Sequence, residues 1–342
     1  MLLLAIETSC DETSAAVVRD GRTVLSNVIS SQVATHAAYG GVVPEIASRK
    51  HLEAIIPVIE EAMSTAGVSF SDLQGVAVTR GPGLAGALLV GLQTAKAIAY
   101  AHRIPLSCVH HIEAHLFARF LETPVECPFL ALAVSGGHTH LYRVDGFGRY
   151  RILGQTIDDA AGEAFDKVAK LLGMGYPGGA LVDRLAAQGN PKAISFPRPL
   201  LHDGTLNFSF SGLKTSVMNH VRKLPALPQG EQLADLCASF QRAVCDVLAG
   251  KTEAALAAEG VKRLVVAGGV ACNSGLRSAM GEMCGRLGVE LHFPSPLLCT
   301  DNAAMVAVPA EWYLTSGMAD PLSVDAEPTL PLRSRPYCTE KK

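Results

Sequence analysis

Residues 2–28 read LLLAIETSCDETSAAVVRDGRTVLSNV, and residues 129–155 read FLALAVSGGHTHLYRVDGFGRYRILGQ. The two stretches share few letters but one plan. Each opens on a continuous apolar run, 2–6 or 129–134, which reads as a buried strand. Each passes through a turn of small, hydroxyl-bearing residues into a second strand, 15–18 or 139–144. An Asp-Gly turn and a third strand follow, 23–28 or 150–155. After the first stretch the pattern predicts helix 44–66, strand 75–79, helix 83–102, strand 105–109 and helix 111–121. After the second it predicts helices 163–172 and 232–259, strand 263–267, helix 273–287, strand 290–293 and helix 302–314. Strands alternating with helices give an α/β fold with mixed, largely parallel sheets. The repeat of the plan implies internal duplication, in pattern rather than in letters. The junction is placed at 122–127, where Pro124 and Pro128 break structure.

Composition narrows the function. The chain has 342 residues, 49% hydrophobic and 18% charged, enough for about two domains. A net charge of −3 gives no global footprint for nucleic acid, so such a partner needs a local basic patch or a helper subunit. The tail residues Arg333, Arg335, Lys341 and Lys342 are too few to supply it. Nine scattered cysteines without a Cys-x-x-Cys imply reduced thiols and a cytoplasmic protein. The start lacks a basic n-region, and Asp11 and Glu12 interrupt it at once, so it does not read as a signal peptide. The apolar run 83–92 is too short to span a bilayer, and no membrane role is expected.

Several motifs can carry chemistry. Gly81-Pro-Gly-Leu-Ala-Gly86 fits G-x-G-x-x-G, but no acidic residue occurs between Gly86 and Glu113, which favours helix-to-strand packing over a dinucleotide site. No G-x-x-x-x-G-K-[ST] occurs, and Ser211–Thr215 only looks similar. The turns after residues 6 and 134 could direct backbone N–H groups at a phosphate, or be plain β-turns. In 264–273, LVVAGGVACN, a strand runs through glycines into a helix capped by Asn273, an approach point for an anionic group. Asp166 and Asp183, in otherwise apolar segments, suit ribose hydroxyls or an amine, or a solvated helix face.

Residues 109–119 read VHHIEAHLFAR. His111 and His115 are one helical turn apart and share a face, a spacing that lets two imidazoles meet one metal ion. Glu113 is two residues on and faces elsewhere, so the H-E-x-x-H protease arrangement is not met. The pair is either a polar helix end or two parts of a metal site, and a third ligand decides. Asp301 starts the last predicted helix, where it would serve as an N-cap or first-turn acid unless the fold carries it to the histidines.

Taken in order, IETSCDETS, VPEIASRKH, GPGLAGAL, HHIEAH, VSGGHT, GEAFDKVAKLLGMGYPGG, NFSFSGLKT, AGGVACN and CTDNAAM span almost the whole chain. Together they resemble the TsaD family, the bacterial tRNA N6-adenosine threonylcarbamoyltransferases, also called Gcp or YgjD. The resemblance implies an actin/sugar-kinase/Hsp70-like fold of two duplicated lobes with a central cleft. The first lobe would be 1–125, joined again by 301–330; the second 126–300; and 331–342 a tail. It implies that Asp301 meets His111 and His115 on one divalent metal, iron(II) before zinc(II). Val134, Ser135, Gly136, Gly137, His138, Asp166, Gly179, Asp183 and Asn273 would bind threonylcarbamoyl-AMP. The acyl group would pass to adenosine 37 in the anticodon loop of tRNAs reading codons that begin with A, with Asp11 or Glu12 taking the proton. Implied partners are the paralogue TsaB and the ATPase TsaE. The readings set against this are an ATP-hydrolysing or sugar-phosphorylating enzyme of the same fold, and a metallopeptidase.

Overall fold

The computed structural model describes residues 1–334; Arg335, Lys341 and Lys342 of the basic tail lie outside the described residues. The first apolar run forms β1 (Leu2–Glu7), buried from Leu3 onward. It continues into β2 (Glu12–Arg19) and β3 (Thr23–Ser31) as an antiparallel meander. Three helices and two strands follow. They are α1 (Val33–Ala37), α2 (Pro44–Ala66), β4 (Gly75–Gly81), α3 (Ala85–His102) and β5 (Leu106–His110). The sheet order is β3-β2-β1-β4-β5, with β4 and β5 added in parallel. Half of the pairings are therefore antiparallel, because the meander precedes the first crossover helix.

Alternation along β1 explains its packing. Leu4 and Ile6 join Ile55, Val58, Ile59 and Ala62 of α2 and Leu92, Ala95 and Ala99 of α3 in one apolar cluster. Each fully buried Leu, Ile or Val there contributes roughly 1.5–3 kcal/mol. Pro44 starts α2, where its missing N–H costs nothing, and Gly67 ends it in the left-handed region at φ +66°. The 83–92 run leads into the first half of α3, where Ala87, Leu88, Gly91 and Leu92 are buried, and among the described residues no helix is long and apolar enough to cross a membrane. The predicted helix 111–121 is shorter: α4 (His111–Phe117) tightens into a 3-10 turn over Ala118–Leu121.

The second unit repeats the arrangement. β6 (Phe129–Val134), β7 (Thr139–Gly146) and β8 (Arg149–Gln155) precede α5 (Ala161–Leu171), α6 (Gly178–Ala186), α7 (Ser211–Val221) and α8 (Gly230–Glu259). Then come β9 (Arg263–Ala267), α9 (Ser274–Leu287) and β10 (Glu290–His292), in the sheet order β10-β9-β6-β7-β8. β6 pairs antiparallel with β7 and parallel with β9, as β1 pairs with β2 and β4. The sequence pattern omits α6 and α7. Each begins at glycine or Ser-Gly, weak helix formers, and α6 gains its start from a side-chain cap supplied by α5.

The chain re-enters the first unit at Pro294, ahead of the expected 301, and Phe147–Arg149 also belong to that unit. The returning segment carries α10 (Pro296–Cys299) and α11 (Ala303–Thr315). α11 lies against β1, β2, β4, β5 and α4, so it covers the sheet face that α2 and α3 leave open.

Candidate metal centre and substrate site

β5 ends at His110, which turns the chain into α4: its Nδ1 accepts from the N–H of Ile112, and its Nε2–H donates to the carbonyl of Leu330 at 2.9 Å. One turn of α4 then places His111 and His115 side by side, ring centroids 4.7 Å apart and edge-on. Asp301 arrives just ahead of α11. It is not the cap of that helix; Asn302 is, its Oδ1 accepting from the N–H of Met305 at 3.1 Å. The Asp301 carboxylate is therefore left to face the histidines. Its Oδ1 lies 3.0 Å from Nε2 of His115 and 3.6 Å from Nε2 of His111. One ligand atom from each of the three residues falls within 4.8 Å of the others.

The surroundings fit a cation. Nδ1 of His111 lies 3.2 Å from Oε2 of Glu7 and 3.1 Å from the Ser9 hydroxyl. Donation from Nδ1–H to Glu7 leaves Nε2 facing Asp301, where it would ligate a cation, the carboxylate–histidine arrangement common around bound metals. Glu7 is itself fixed by the Thr79 hydroxyl at 2.5 Å and the Ser9 N–H at 2.6 Å. Burial raises its carboxyl pKa, but His111 and these hydrogen bonds outweigh that and leave it below the ordinary value. Burial disfavours charge on His111, yet Asp301 and Glu7 overcome it and lift the metal-free pKa to about 9. A divalent cation would take over the charge-balancing role of that proton. Glu113 does not face a ligand position. It is buried and accepts from the Tyr313 hydroxyl, joining the histidine-bearing α4 to α11.

Asp11 ends the turn after β1 and is buried, and Glu12 opens β2. Glu12 accepts from the Ser31 hydroxyl at 3.1 Å. Burial first, then the charges of Asp301 and Asp11, push its carboxyl up to about 9. The turn is held by His51 of α2, which donates from Nε2–H to the Cys10 carbonyl and accepts at Nδ1 from the Thr13 hydroxyl. Sequence reasoning missed the roles of His51, Glu7 and Ser9, although all three stand in the quoted motifs.

The second-unit residues gather around the end of β6. Ser135 and His138 close a four-residue turn, N–H to carbonyl at 2.8 Å. Gly162, in the first turn of α5, donates to the Ser135 carbonyl at 3.1 Å, and a Cβ on it would stand 2.6 Å from that oxygen. Gly268, at φ +95°, presses on the Val134 carbonyl. Gly136 and Gly137 are exposed, and a Cβ on either would meet nothing within 4 Å. Asp166 accepts from the N–H of Gly178 at 2.8 Å, which caps α6 and positions Gly179. Asp183 accepts from the N–H and hydroxyl of Ser274 at 3.0 and 2.7 Å. Asn273 caps α9 and donates from Nδ2 to Gln241 at 2.8 Å. The hydrogen bonds thus link Asp183, Ser274, Asn273 and Gln241, a residue the sequence did not single out. The glycines of 81–86 form no such opening. Gly81 abuts the Glu327 carbonyl, a Cβ on Gly83 would stand 2.5 Å from the Ser9 carbonyl, and Gly86 abuts Ser48. The chain's own atoms fill the space a pyrophosphate would need.

Solved structures share this architecture. Component A of (R)-2-hydroxyglutaryl-CoA dehydratase from Acidaminococcus fermentans superposes with a TM-score of 0.56 at 17% identity, over 93% of this chain and 99% of that one. Full-length HypF in its phosphate- and nucleotide-bound form gives 0.63 at 14% identity, over 93% of this chain and 47% of that one. The fold class is the duplicated actin/sugar-kinase/Hsp70-like one. The sequence profile of TsaD, tRNA N6-adenosine threonylcarbamoyltransferase, matches residues 23–308. The tRNA N6-adenosine threonylcarbamoyltransferase of Trichlorobacter lovleyi is 69% identical over 332 residues, 97% of each chain. The protein of the same name from Geotalea uraniireducens is 66% identical over 334 residues, 98% of this chain and 97% of that one. The chain belongs to the tRNA N6-adenosine threonylcarbamoyltransferase family.

Proposed function

We propose that this chain transfers the threonylcarbamoyl group of threonylcarbamoyl-AMP to N6 of adenosine 37 in tRNAs reading codons that begin with A. The observation that carries the reading is the convergence of Asp301 on the His111–His115 pair, with His115 186 residues away in sequence, in a family whose curated members bear that activity in their name. In the reaction a bond forms between N6 and the carbamoyl carbon. The bond from that carbon to the phosphate oxygen breaks, and AMP leaves with the electron pair. The adenine amine is a poor nucleophile because its lone pair is delocalised into the ring.

His111, His115 and Asp301 would hold one divalent cation, which supplies Lewis acidity to the acyl or phosphate oxygens. Two imidazoles and a carboxylate accept iron(II) or zinc(II); the reading takes iron(II), as the resemblance implies. Glu7 keeps His111 in the tautomer that offers Nε2. The amine proton passes to Asp11 or Glu12; Glu12 accepts it only as a carboxylate, a form that burial and the charge of Asp301 oppose in the metal-free chain and that a cation held at Asp301 would favour. On the second unit, the exposed backbone of Gly136 and Gly137 and the helix starts at Gly179 and Asn273 receive the adenylate, with Val134, Ser135, His138, Asp166 and Asp183 shaping that seat. The anticodon loop presents its base already unpaired.

TsaB and the ATPase TsaE are the proposed protein partners. Leu52 and Ile56, one turn apart on α2 and 65% and 53% exposed, and Leu89 on α3 offer TsaB an apolar helix face. The proposed site of action is the cytoplasm, where the tRNA is. The test is transfer from threonylcarbamoyl-AMP to an unmodified tRNA transcript, with TsaB and TsaE supplied, read by mass spectrometry of the digested nucleosides. The modified adenosine is expected with the native chain and absent with His115→Ala. Equal product from both would reject the metal-assisted reading, and no product from the native chain would reject the activity.

A further inference from the structure

The net charge of −3 hides a strong asymmetry. Residues 184–229 contain six Lys or Arg (Arg184, Lys192, Arg198, Lys214, Arg222 and Lys223) against a single acid, Asp203. That is a local charge of +5, so the remainder of the chain is distinctly acidic. Asp203 does not soften the excess, because the buried Lys251 ammonium claims it at 2.6 Å. Arg198 pairs with Asp246 and Lys214 with Asp159. Arg184, Lys192, Arg222 and Lys223 are exposed and form no ion pair with any carboxylate among the described residues.

Packing gathers these free cations. Pro199 lies against Gly212 at the start of α7, and Phe196 meets His220 near its end, ring centroids 5.9 Å apart. The chain from 199 back to 196 therefore runs along α7 toward its C-terminus, and Lys192 stands between Asn190 and Ile194, which donate to Asp235 and Ser239 in the first turns of α8. Arg222 and Lys223 directly follow that C-terminus. The loop after them returns to α5, with Leu227 beside Gly173. That end of α5 carries Lys170 in its last turn, another exposed cation with no ion pair among the described residues. Two acids stand nearby at the start of α8: Asp235, which accepts from the Asn190 N–H at 2.6 Å, and the exposed Glu231. The cations outnumber them. Arg184 stands in the last turn of α6, and Gly189, just beyond that helix, packs on Ala234 near the start of α8; helix C-terminal dipoles are eased by cations but give no reason for five of them.

We infer that this end of the second unit, carrying Lys170, Arg184, Lys192, Arg222 and Lys223, is a docking surface for the phosphodiester backbone of RNA. The inference rests on the proposed tRNA-modifying function. Scattered, unpaired lysines and arginines without a built pocket match a string of phosphates, where each contact adds affinity without reading sequence. They do not match a single small anion, which would need a convergent set. The surface holds the tRNA body, and the base to be modified is presented elsewhere.

The test uses the full chain and an unmodified tRNA transcript. Binding is measured across a salt series for the native chain, for Lys192→Ala/Arg222→Ala/Lys223→Ala, and for Arg286→Ala, an exposed arginine paired with Glu253 outside this region. The triple variant is expected to bind at least about tenfold more weakly, and its slope of log affinity against log salt to fall by about 2–3. Its thermal unfolding should match the native chain, and Arg286→Ala should bind as the native chain does. In the transfer assay the triple variant should show a raised KM for tRNA, with kcat less affected. Unchanged affinity and slope would overturn the inference while leaving the transfer activity standing. A loss seen only when TsaB or TsaE is present would overturn it in favour of an acidic protein partner. Absence of transfer by the native chain, with salt-dependent binding intact, would remove the proposed function but not the surface.

Discussion

The turns after β1 and β6 occupy equivalent places in the two sheets and do opposite things. In the first unit Glu7 pairs with Ser14, and the intervening residues include Asp11 and Glu12. In the second Val134 pairs with Thr139, and only Ser135, Gly136, Gly137 and His138 intervene. The first turn is packed: Glu7, Thr8, Ser9, Asp11 and Thr13 are buried, and His51 fastens it from α2. The second is bare, with open space where the Cβ atoms of Gly136 and Gly137 would be. One scaffold, used twice, carries buried carboxylates at the first turn and exposed glycine backbone at the second, the contrast on which the proposed division of labour between cation and anionic ligand rests.

Five substitutions and one condition bear on that contrast. The largest effect is expected from His115→Ala or Asp301→Ala, which should release the cation and lower transfer by at least about a hundredfold, read by metal content and product formation. Glu7→Gln should weaken metal affinity about 10–100-fold by loosening His111, read by competition with a chelator. If affinity is unchanged, Glu7 is only a folding residue. In the second turn, Gly136→Ala should leave stability within about 0.5 kcal/mol while raising KM for threonylcarbamoyl-AMP about tenfold. Gly268→Ala should do the reverse in kind, costing about 2–4 kcal/mol because a Cβ would strike the Val134 carbonyl at a positive φ. Thermal unfolding and steady-state kinetics separate the two, and similar behaviour would erase the distinction between a packed and an open glycine.

A further effect is one of pH. In the metal-free chain His111 is raised to about 9, above its ordinary value, so its charged form stabilises the fold fully below about pH 6.5. That contribution is lost as pH rises through 9. Metal must displace the same proton, so affinity should climb about tenfold per pH unit toward pH 9 and then level off. A flat profile in a buffered metal titration would show that His111 is already neutral.

Much of this was legible in the letters. The α2 limits, 44–66, follow from Pro44, the apolar periodicity and Gly67, and β6 and β9 from unbroken apolar runs. Local signals fixed these elements. α6 and α7 were invisible because their starts depend on partners: Gly178 is a poor helix residue until Asp166 caps it. At the metal centre, the histidine pair was readable from spacing alone, whereas Asp301 was ambiguous because Asp and Asn are adjacent and either could cap α11. Only the structure assigns the cap to Asn302 and leaves Asp301 for the histidines. Glu7 fell just past the apolar run 2–6, in the turn that follows it, and its contact with His111 joins residues 104 apart in sequence.

The account depends most on three side chains gripping one ion. Anomalous diffraction from crystals of the active protein, collected across the iron and zinc absorption edges, tests this directly. One peak is expected, about 2.0–2.2 Å from Nε2 of His111, Nε2 of His115 and a carboxylate oxygen of Asp301. An active crystal with no peak there, or with its metal held by other residues, would contradict the account.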